Sequence, residues 1–115
     1  MEENREVLSF EDYSYENGIT YWWASEFSTM LGYASLESFK NVINKAIQAC
    51  MSAQIEWASD FSRVSRIEGD KKFDDWKLSR FACYLVAMNA DPKKAKVEKA
   101  QVYFAAKVEQ FNLIL

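Results

Sequence analysis

The stretch from Trp76 to Pro92 constrains the fold of this 115-residue chain more than any other. Apolar side chains recur there at helical spacing, at Leu78, Phe81, Ala82, Leu85 and Val86. That spacing predicts a helix with one side in a core. Asp91 then stands where it can cap a following helix, and Pro92 suits the first helical position because its missing N–H costs nothing there. The sequence therefore predicts two helices joined by a capped turn.

The last predicted helix keeps an apolar stripe to the final residue, with members at Val97, Ala100, Phe104, Val108, Phe111 and Leu115. Its end, residues 111–115, contains no glycine, charge or cap. We therefore expect either a helix that continues in a longer protein or an apolar end that docks on a partner chain. A homodimer through this helix is one form of the second alternative.

Near the amino end, the pair Asn17-Gly18 predicts a hairpin with a two-residue turn, because both turn positions need positive φ. Its arms are residues 12–16 and 19–23. Aromatic side chains occupy alternate positions along these arms, at Tyr13, Tyr15, Tyr21 and Trp23. We expect this aromatic face to pack on the helices, with base stacking as the alternative use of the rings.

A short helix, a glycine turn and a longer helix are predicted next. Gly32 ends the first helix and Ser35 caps the second. The second helix has an apolar stripe at Leu36, Phe39, Ile43, Ala46, Ile47 and Cys50. This order is that of a helix-turn-helix, but the turn is one residue longer than in the tight DNA-binding form and the second helix begins Leu36-Glu37-Ser38, with few groups suited to base edges. A structural helix pair is favoured over a DNA reader.

A second hairpin is predicted in the middle of the chain, with Gly69 at its tip, and it resembles a wing. Cations surround it and recur at the turn between the last two helices. We predict a nucleic-acid-binding surface that contacts the phosphate backbone, formed by Arg63, Arg66, Lys71, Lys72, Lys77, Arg80, Lys93 and Lys94. A merely charged, exposed loop is the alternative.

The charge distribution favours such a partner. The net charge is −3, but residues 1–26 hold seven carboxylates and one arginine, whereas residues 61–107 hold eleven lysines and arginines against six carboxylates. A single domain with this polarity is expected to meet a directional partner, most often a phosphate backbone. A scattered, solvated charge pattern is the alternative.

Enzyme chemistry is largely excluded. Histidine is absent, and the two cysteines are far apart, which removes the ordinary zinc and copper sites and every nucleophile activated by imidazole. We expect no cofactor and no bound metal. Cys50 and Cys83 fit buried, reduced thiols. A carboxylate-only metal nuclease that uses Asp70, Asp74 and Asp75 remains the catalytic alternative.

Length and hydropathy favour one soluble domain. Half of the residues are apolar, yet every apolar run falls short of the roughly 20 residues that span a bilayer. The amino end lacks the basic start and apolar core of a secretory signal. We therefore expect a cytoplasmic protein without a membrane partner.

Two blocks of the sequence resemble a known family, the amino-terminal domain of the DNA-damage-inducible protein D family, itself similar to the Bro-type amino-terminal domains of phage antirepressors. The first block is YWWASEFSTMLGY followed by FKNVINKA, and the second is WKLSRFACYLVAMNADPKK with AQVYFA. Together they span about residues 15–110. Family members normally continue well past this length, so the chain is expected to be the first domain of a longer protein.

The resemblance implies a bacterial or phage protein of the DNA-damage (SOS) response, with a DNA-binding or recombination-related role. It falls on the polar residues of the second block, Lys77, Ser79, Arg80, Asn89, Asp91 and Lys93. We predict an α+β, Bro-N-like domain of four to five helices with two small β-hairpins, acting as a non-catalytic DNA-binding or regulatory module. The alternative is an antirepressor-like module that binds a repressor or a recombination protein through the acidic start or the apolar end.

Overall fold

The computed structural model describes residues 10–11, 14–16 and 20–110. In chain order its elements are β1 Tyr15–Glu16, β2 Thr20–Trp23, α1 Ala24–Met30, α2 Leu36–Ser52, β3 Phe61–Glu68, β4 Lys71–Ser79, α3 Arg80–Asn89 and α4 Ala95–Gln110. The mixed α+β prediction is confirmed. Four helices are bounded within the described residues, against the four or five predicted.

The two predicted hairpins form a single antiparallel sheet with the strand order β1-β2-β4-β3. They join because β2 pairs with the carboxyl end of β4, where Trp22 lies opposite Leu78. In the first hairpin Glu16 pairs with Thr20, which leaves three residues between the partners. The predicted two-residue turn was therefore wrong by one residue, and the Asn17-Gly18 turn lies outside the described residues, as does Tyr13.

One face of this sheet forms the floor of the core. The register places Trp22, Leu78 and Phe61 side by side across β2, β4 and β3, and their exposed fractions are 1%, 0% and 2%. Phe104 of α4 packs over this floor, with its ring centroid 5.2 Å from that of Trp22 and 5.5 Å from that of Phe27. We call the opposite side of the sheet the outer face.

Helix α2 follows its predicted pattern closely. Phe39, Ile43, Ala46, Ile47 and Cys50 are buried, and a hydrophobic stripe of this width faces the core as expected for an amphipathic helix. The predicted cap is also confirmed, since the Ser35 hydroxyl accepts a hydrogen bond from the Ser38 amide at 3.2 Å. Cys50 and Cys83 are buried free thiols, as predicted, and burial raises the pKa of both.

The turn before the last helix differs from its prediction in one respect. Asp91 does cap this region, because its carboxylate accepts a hydrogen bond from the Lys93 amide at 3.0 Å. The helix itself begins at Ala95 rather than at Pro92. A hydrogen bond from the Lys94 amide to the Asp91 carbonyl, 3.1 Å long, closes a separate turn first. Among the helices that the structure describes, none is both long and apolar enough to cross a membrane.

Candidate nucleic-acid interface

The central hairpin projects beyond the rest of the sheet. Strand β2 pairs only with residues 77–79 of β4, so residues 71–76 of β4 pair with β3 alone. We call residues 63–76 the arm. At about 3.3 Å per residue the arm extends roughly 20 Å. Its turn uses Gly69 at φ +63°, a conformation that glycine adopts without strain.

The tip of the arm carries Lys71 and Lys72, both exposed. Glu68 lies opposite Lys71 in the register, and Asp70 lies in the turn. The tip is therefore polar but not strongly positive. Ile67, opposite Lys72, is 74% exposed, which gives the tip one large apolar side chain in contact with water.

The two arginines of the arm have different surroundings. Arg63 is exposed and forms a 3.0 Å ion pair with Asp74, whose side chain is also half exposed. Arg66 is mostly buried, and one of its guanidinium nitrogens lies 2.8 Å from the Asp75 carboxylate. Its guanidinium carbon lies 4.0 Å from the ring centroid of Trp23. The geometry therefore gives Arg66 an internal partner, whereas Arg63 retains access to solvent.

Asp75 organises the root of the arm. Its side chain is fully buried, and it accepts hydrogen bonds from the Ser25 amide at 3.0 Å, the Ser25 hydroxyl at 2.6 Å and the Trp76 amide at 2.8 Å. Ser25 lies in the first turn of α1, whose own N-cap residue offers no side-chain hydrogen bond. Asp75 thus caps α1 from a neighbouring strand, where a carboxylate also favours the helix dipole.

The arrangement of the aspartates bears on the alternative of a metal nuclease. Asp74 and Asp75 are consecutive on β4, so they face opposite sides of the sheet, and each pairs with its own arginine. Across residues 10–11, 14–16 and 20–110 there is no group of three or more potential metal ligands.

The aromatic face of the first hairpin does not pack as predicted. The ring that enters the core is Trp22, the residue between the alternating aromatics. Tyr15, Tyr21 and Trp23 lie on the outer face, outside the core cluster. Tyr15 and Tyr21 stack with centroids 5.5 Å apart, and Tyr21 meets Trp23 edge to face at 5.4 Å. Tyr21 is buried, at 9% exposed, but the expectation of core packing was wrong for Tyr15 and Trp23. The reason is the register, because Trp22 lies opposite Leu78 on the core face and its neighbours in β2 therefore point to the other side.

Lys77 completes the outer face. Its ammonium lies 4.7 Å from the ring centroid of Tyr21 and 5.7 Å from that of Trp23. Within the part of the chain that the structure describes, Lys77 forms no ion pair. Among the described residues the face therefore combines aromatic rings with a cation that has no carboxylate partner, and the Glu26 carboxylate accepts a hydrogen bond from the Tyr15 hydroxyl at its other end.

Arg80 lies at the base of the sheet. Its guanidinium makes two hydrogen bonds, of 2.9 and 3.0 Å, to the carboxylate of Glu11 and is only 14% exposed. The Tyr103 hydroxyl also donates to Glu11. The hydrogen bond from Arg80 holds the pKa of Glu11 below its ordinary value, and burial raises the pKa of Tyr103. A side chain held in this way fits a structural role, and its contact with nucleic acid stays a prediction.

This pairing predicts a pH dependence of stability. A carboxyl group whose pKa is lowered in the folded protein stabilises it above the unfolded pKa, and that contribution is lost as the pH falls through the folded pKa. We expect Glu11→Gln to reduce the loss of stability below pH 4.5, the ordinary glutamate value. Urea unfolding measured at neutral and acidic pH tests this. Glu98→Gln, at an exposed position on α4, is the control, and an equal effect of both variants would contradict the assignment.

Lys93 and Lys94 occupy a different region. The Lys94 ammonium donates a 3.2 Å hydrogen bond to the Gly32 carbonyl and lies 4.9 Å from the ring centroid of Tyr33. These contacts tie the turn between α3 and α4 to the turn between α1 and α2, and neither lysine touches the arm. The eight predicted cations therefore do not share one surface. Four lie on the arm, Lys77 lies on the outer face, Arg80 is held by Glu11, and Lys93 and Lys94 lie at this turn.

One polar surface of α2 was not predicted from the sequence. Asn41, Asn44, Lys45 and Gln48 are all exposed on the side of α2 opposite its buried stripe. With Asn89 of α3 they line a shallow cleft of about 400 Å³. Side-chain amides suit bidentate contacts to adenine in the major groove. Their helical spacing is a local feature of the sequence and could have indicated this surface, whereas the prediction considered only the first turn of the helix.

The predicted protein-binding regions lie mostly outside the described residues. They are the acidic start, of which residues 1–9 are not described, and the apolar end at 111–115. Engagement of a repressor or recombination protein, and a homodimer through the last helix, therefore stay predictions.

Comparison with known proteins identifies relatives of the chain. Residues 12–108 match the family model "BRO family, N-terminal domain". The chain is also 31% identical over 103 residues to DNA damage-inducible protein D of Escherichia coli (strain K12), an alignment that covers 84% of this chain and 37% of that protein. The chain thus spans little more than a third of the length of this curated relative. No solved structure matches.

Proposed function

The chain belongs to the family of BRO amino-terminal domains. On that premise we propose that it is a non-catalytic domain that binds duplex DNA and has a regulatory role in the DNA-damage response. The relative named for induction by DNA damage supports the physiological setting. The geometry of α1, α2 and the arm supports DNA as the ligand.

The observation that carries this proposal is the order of the elements around the helix pair. Strand β2 precedes α1 and α2, strands β3 and β4 follow, and β2 pairs with β4 beside the projecting arm. This is the connectivity of a winged helix-turn-helix, in which the second helix enters the major groove and the hairpin lies along the backbone. The comparison is one of topology, and the side chains must supply the chemistry.

Helix α2 has suitable side chains for the groove. Asn41, Asn44 and Gln48 project from its exposed side, and each can donate to and accept from an adenine edge. Lys45, between them, can contact either guanine or a phosphate. This surface supports more sequence preference than the first turn of the helix, Leu36-Glu37-Ser38, offers.

Backbone contacts are assigned to the arm. Lys71 and Lys72 are exposed at the tip of the arm. Arg63, on strand β3 of the arm, is also exposed despite its ion pair with Asp74. Each phosphate neutralised by such a cation releases counterions, so affinity falls as salt rises. Arg66 and Arg80 are instead assigned to holding the fold, because both are mostly buried against carboxylates.

Binding of labelled duplex DNA, measured across a series of salt concentrations, tests the proposal. We expect Lys71→Ala with Lys72→Ala to weaken binding and to lower the slope of log affinity against log salt by about two, since each phosphate contact contributes about 0.9. The matched pair is Lys93→Ala with Lys96→Ala, which removes the same charge from exposed positions near the turn before α4. Because Lys93 was also predicted to contact phosphate, this pair tests the competing surface.

The outcomes separate the possible surfaces. A slope that changes only in the matched pair would move the phosphate contacts to the turn between α3 and α4. Absence of duplex binding even at low salt would contradict the proposal as a whole. Retention of a repressor or recombination protein after nuclease treatment would then favour the antirepressor-like alternative.

A further inference from the structure

We propose that the outer face of the sheet, formed by Tyr15, Tyr21, Trp23, Arg66, Phe73 and Lys77, is a stacking platform for unpaired nucleotides. This rests on the proposed function in that the domain is taken to meet nucleic acid. It goes further by assigning a second surface, distinct from α2 and the arm tip, and by naming single-stranded nucleic acid as its ligand.

The aromatic content of this face is not explained by the core. Tyr15 is 40% exposed, Trp23 and Phe73 are half-buried, and all three lie outside the core cluster that contains Trp22. Exposed single apolar residues are ordinary, but contiguous large apolar surface usually marks a binding site. The register places all of these rings on one side of the sheet.

The rings contact one another in a row. From Tyr15 the row passes through Tyr21 to Trp23, with 5.5 and 5.4 Å between ring centroids. Tyr21 is only 9% exposed, so it supports its neighbours, and the accessible rings are those of Tyr15, Trp23 and Phe73. The Arg66 guanidinium continues it, 4.0 Å from the Trp23 centroid and 5.5 Å from that of Phe73. Every nucleobase has an aromatic face, so the accessible rings of this row can stack bases of any sequence.

The positive charge of the face lies at Lys77. The Tyr15 end carries a carboxylate instead, because the Tyr15 hydroxyl donates hydrogen bonds of 3.2 and 3.1 Å to Glu26. Asp75 neutralises Arg66, whose guanidinium lies against the Trp23 ring. Lys77 has no carboxylate partner in the described chain, and its ammonium lies between the rings of Tyr21 and Trp23. A phosphate that follows a stacked base would meet this cation, which gives the aromatic row the positive charge that single-strand binding surfaces use.

The same geometry indicates whether the nucleic-acid ligand is single-stranded or double-stranded. In a duplex the faces of the bases are stacked on one another, and only the edges are accessible in the grooves. Rings that lie on a sheet can stack only on bases that are unpaired or flipped out. We therefore expect the outer face to bind single strands and to make no contribution to duplex affinity.

Fluorescence anisotropy with a labelled oligothymidylate and, separately, a duplex tests this inference. We expect Tyr15→Ala and Phe73→Ala each to weaken oligothymidylate binding by about 5- to 100-fold, as loss of one stacking contact does. The salt dependence should stay the same, whereas Lys77→Gln should lower the slope of log affinity against log salt by about 0.7, the contribution of one phosphate contact on a single strand. Tyr15→Phe should restore binding, because the ring and not the hydroxyl stacks.

Val102→Ala is the matched control, since Val102 is 69% exposed on α4, away from this face. Thermal unfolding of each variant shows whether the fold is retained, and Tyr15, the most exposed ring, gives the cleanest comparison. Binding of duplex but not of oligothymidylate would overturn the inference and leave the proposed function standing. Oligothymidylate binding that is indifferent to both aromatic substitutions would also overturn it, and retention of a protein on this face instead of nucleic acid would do so as well.

Discussion

Replacement of Asp75 by alanine is expected to lower the free energy of unfolding by about 3–5 kcal/mol, the usual cost of breaking a buried ion pair by removing one partner. The carboxylate is fully buried and accepts hydrogen bonds from Ser25, Trp76 and Arg66. Its removal would leave the mostly buried Arg66 unpaired and the first turn of α1 uncapped. For a domain of this size the midpoint of thermal unfolding should fall by roughly 10–20 °C.

The neighbouring aspartate provides a stringent control. Asp74 also pairs with an arginine at 3.0 Å, but both side chains are more than half exposed. Exposed ion pairs contribute about 0–1 kcal/mol, so Asp74→Ala should change stability little. Urea unfolding of both variants makes the comparison. Equal losses at the two positions would contradict the capping role of Asp75.

Phe104→Ala is expected to destabilise the domain by a similar amount, about 3–5 kcal/mol, because it removes a fully buried aromatic side chain and leaves a cavity. The Phe104 ring contacts Phe10, Trp22, Phe27 and Tyr103, with centroid distances from 4.9 to 5.7 Å. Its loss would affect the sheet floor, α1 and the amino-terminal segment together. A total stability of about 5–15 kcal/mol makes this a large fraction.

Val102 lies on the same helix and is 69% exposed, so Val102→Ala controls for position on α4. Surface substitutions of this kind usually stay within about 0.5 kcal/mol. Calorimetry or denaturant unfolding of the pair measures the difference. A small effect at Phe104 would mean that the surrounding rings collapse into the vacated space, and that they do not form one cooperative cluster.

The helices were predictable from the sequence because their signals are local. The buried stripe of α2 and its Ser35 cap depend on spacing along one segment, and both were confirmed. The start of α4 was missed by three residues because an Asp91-Pro92 pair fits either a helix start or a preceding turn. In the structure the Lys94 amide closes a turn onto the Asp91 carbonyl, and the Lys94 side chain contacts Gly32, which is distant in sequence.

The sheet was less predictable because which side of each strand faces the core depends on pairing between distant segments. Alternation along β2 separates Trp22 from its two aromatic neighbours, but it does not say which side is covered. The pairing of β2 with β4 decides that, and it turns Trp22 toward Phe104. A two-residue period allows either side of β2 to face the core. The larger number of alternating aromatic residues favoured the side that the structure places outward.

The residues of the candidate interface were also hard to predict, because their partners come from distant segments. Arginines and lysines are equal in a charge count, yet Arg66 is neutralised by Asp75 while Lys77 meets only rings among the described residues. Identifying these partners requires the register of β3 against β4. The amides of α2 were within reach of sequence reasoning, because their spacing on the polar side of a well-predicted helix is a local feature.

The position of Asp75 has a mechanical consequence. The carboxylate belongs to the arm and holds the first turn of α1 by directional hydrogen bonds, which fix an angle in a way that apolar contacts do not. The distance between the arm and the helix pair is therefore set before any ligand arrives. Binding of a rigid double helix that spans both would cost the protein little conformational entropy. Most of the contact energy would therefore be retained as affinity.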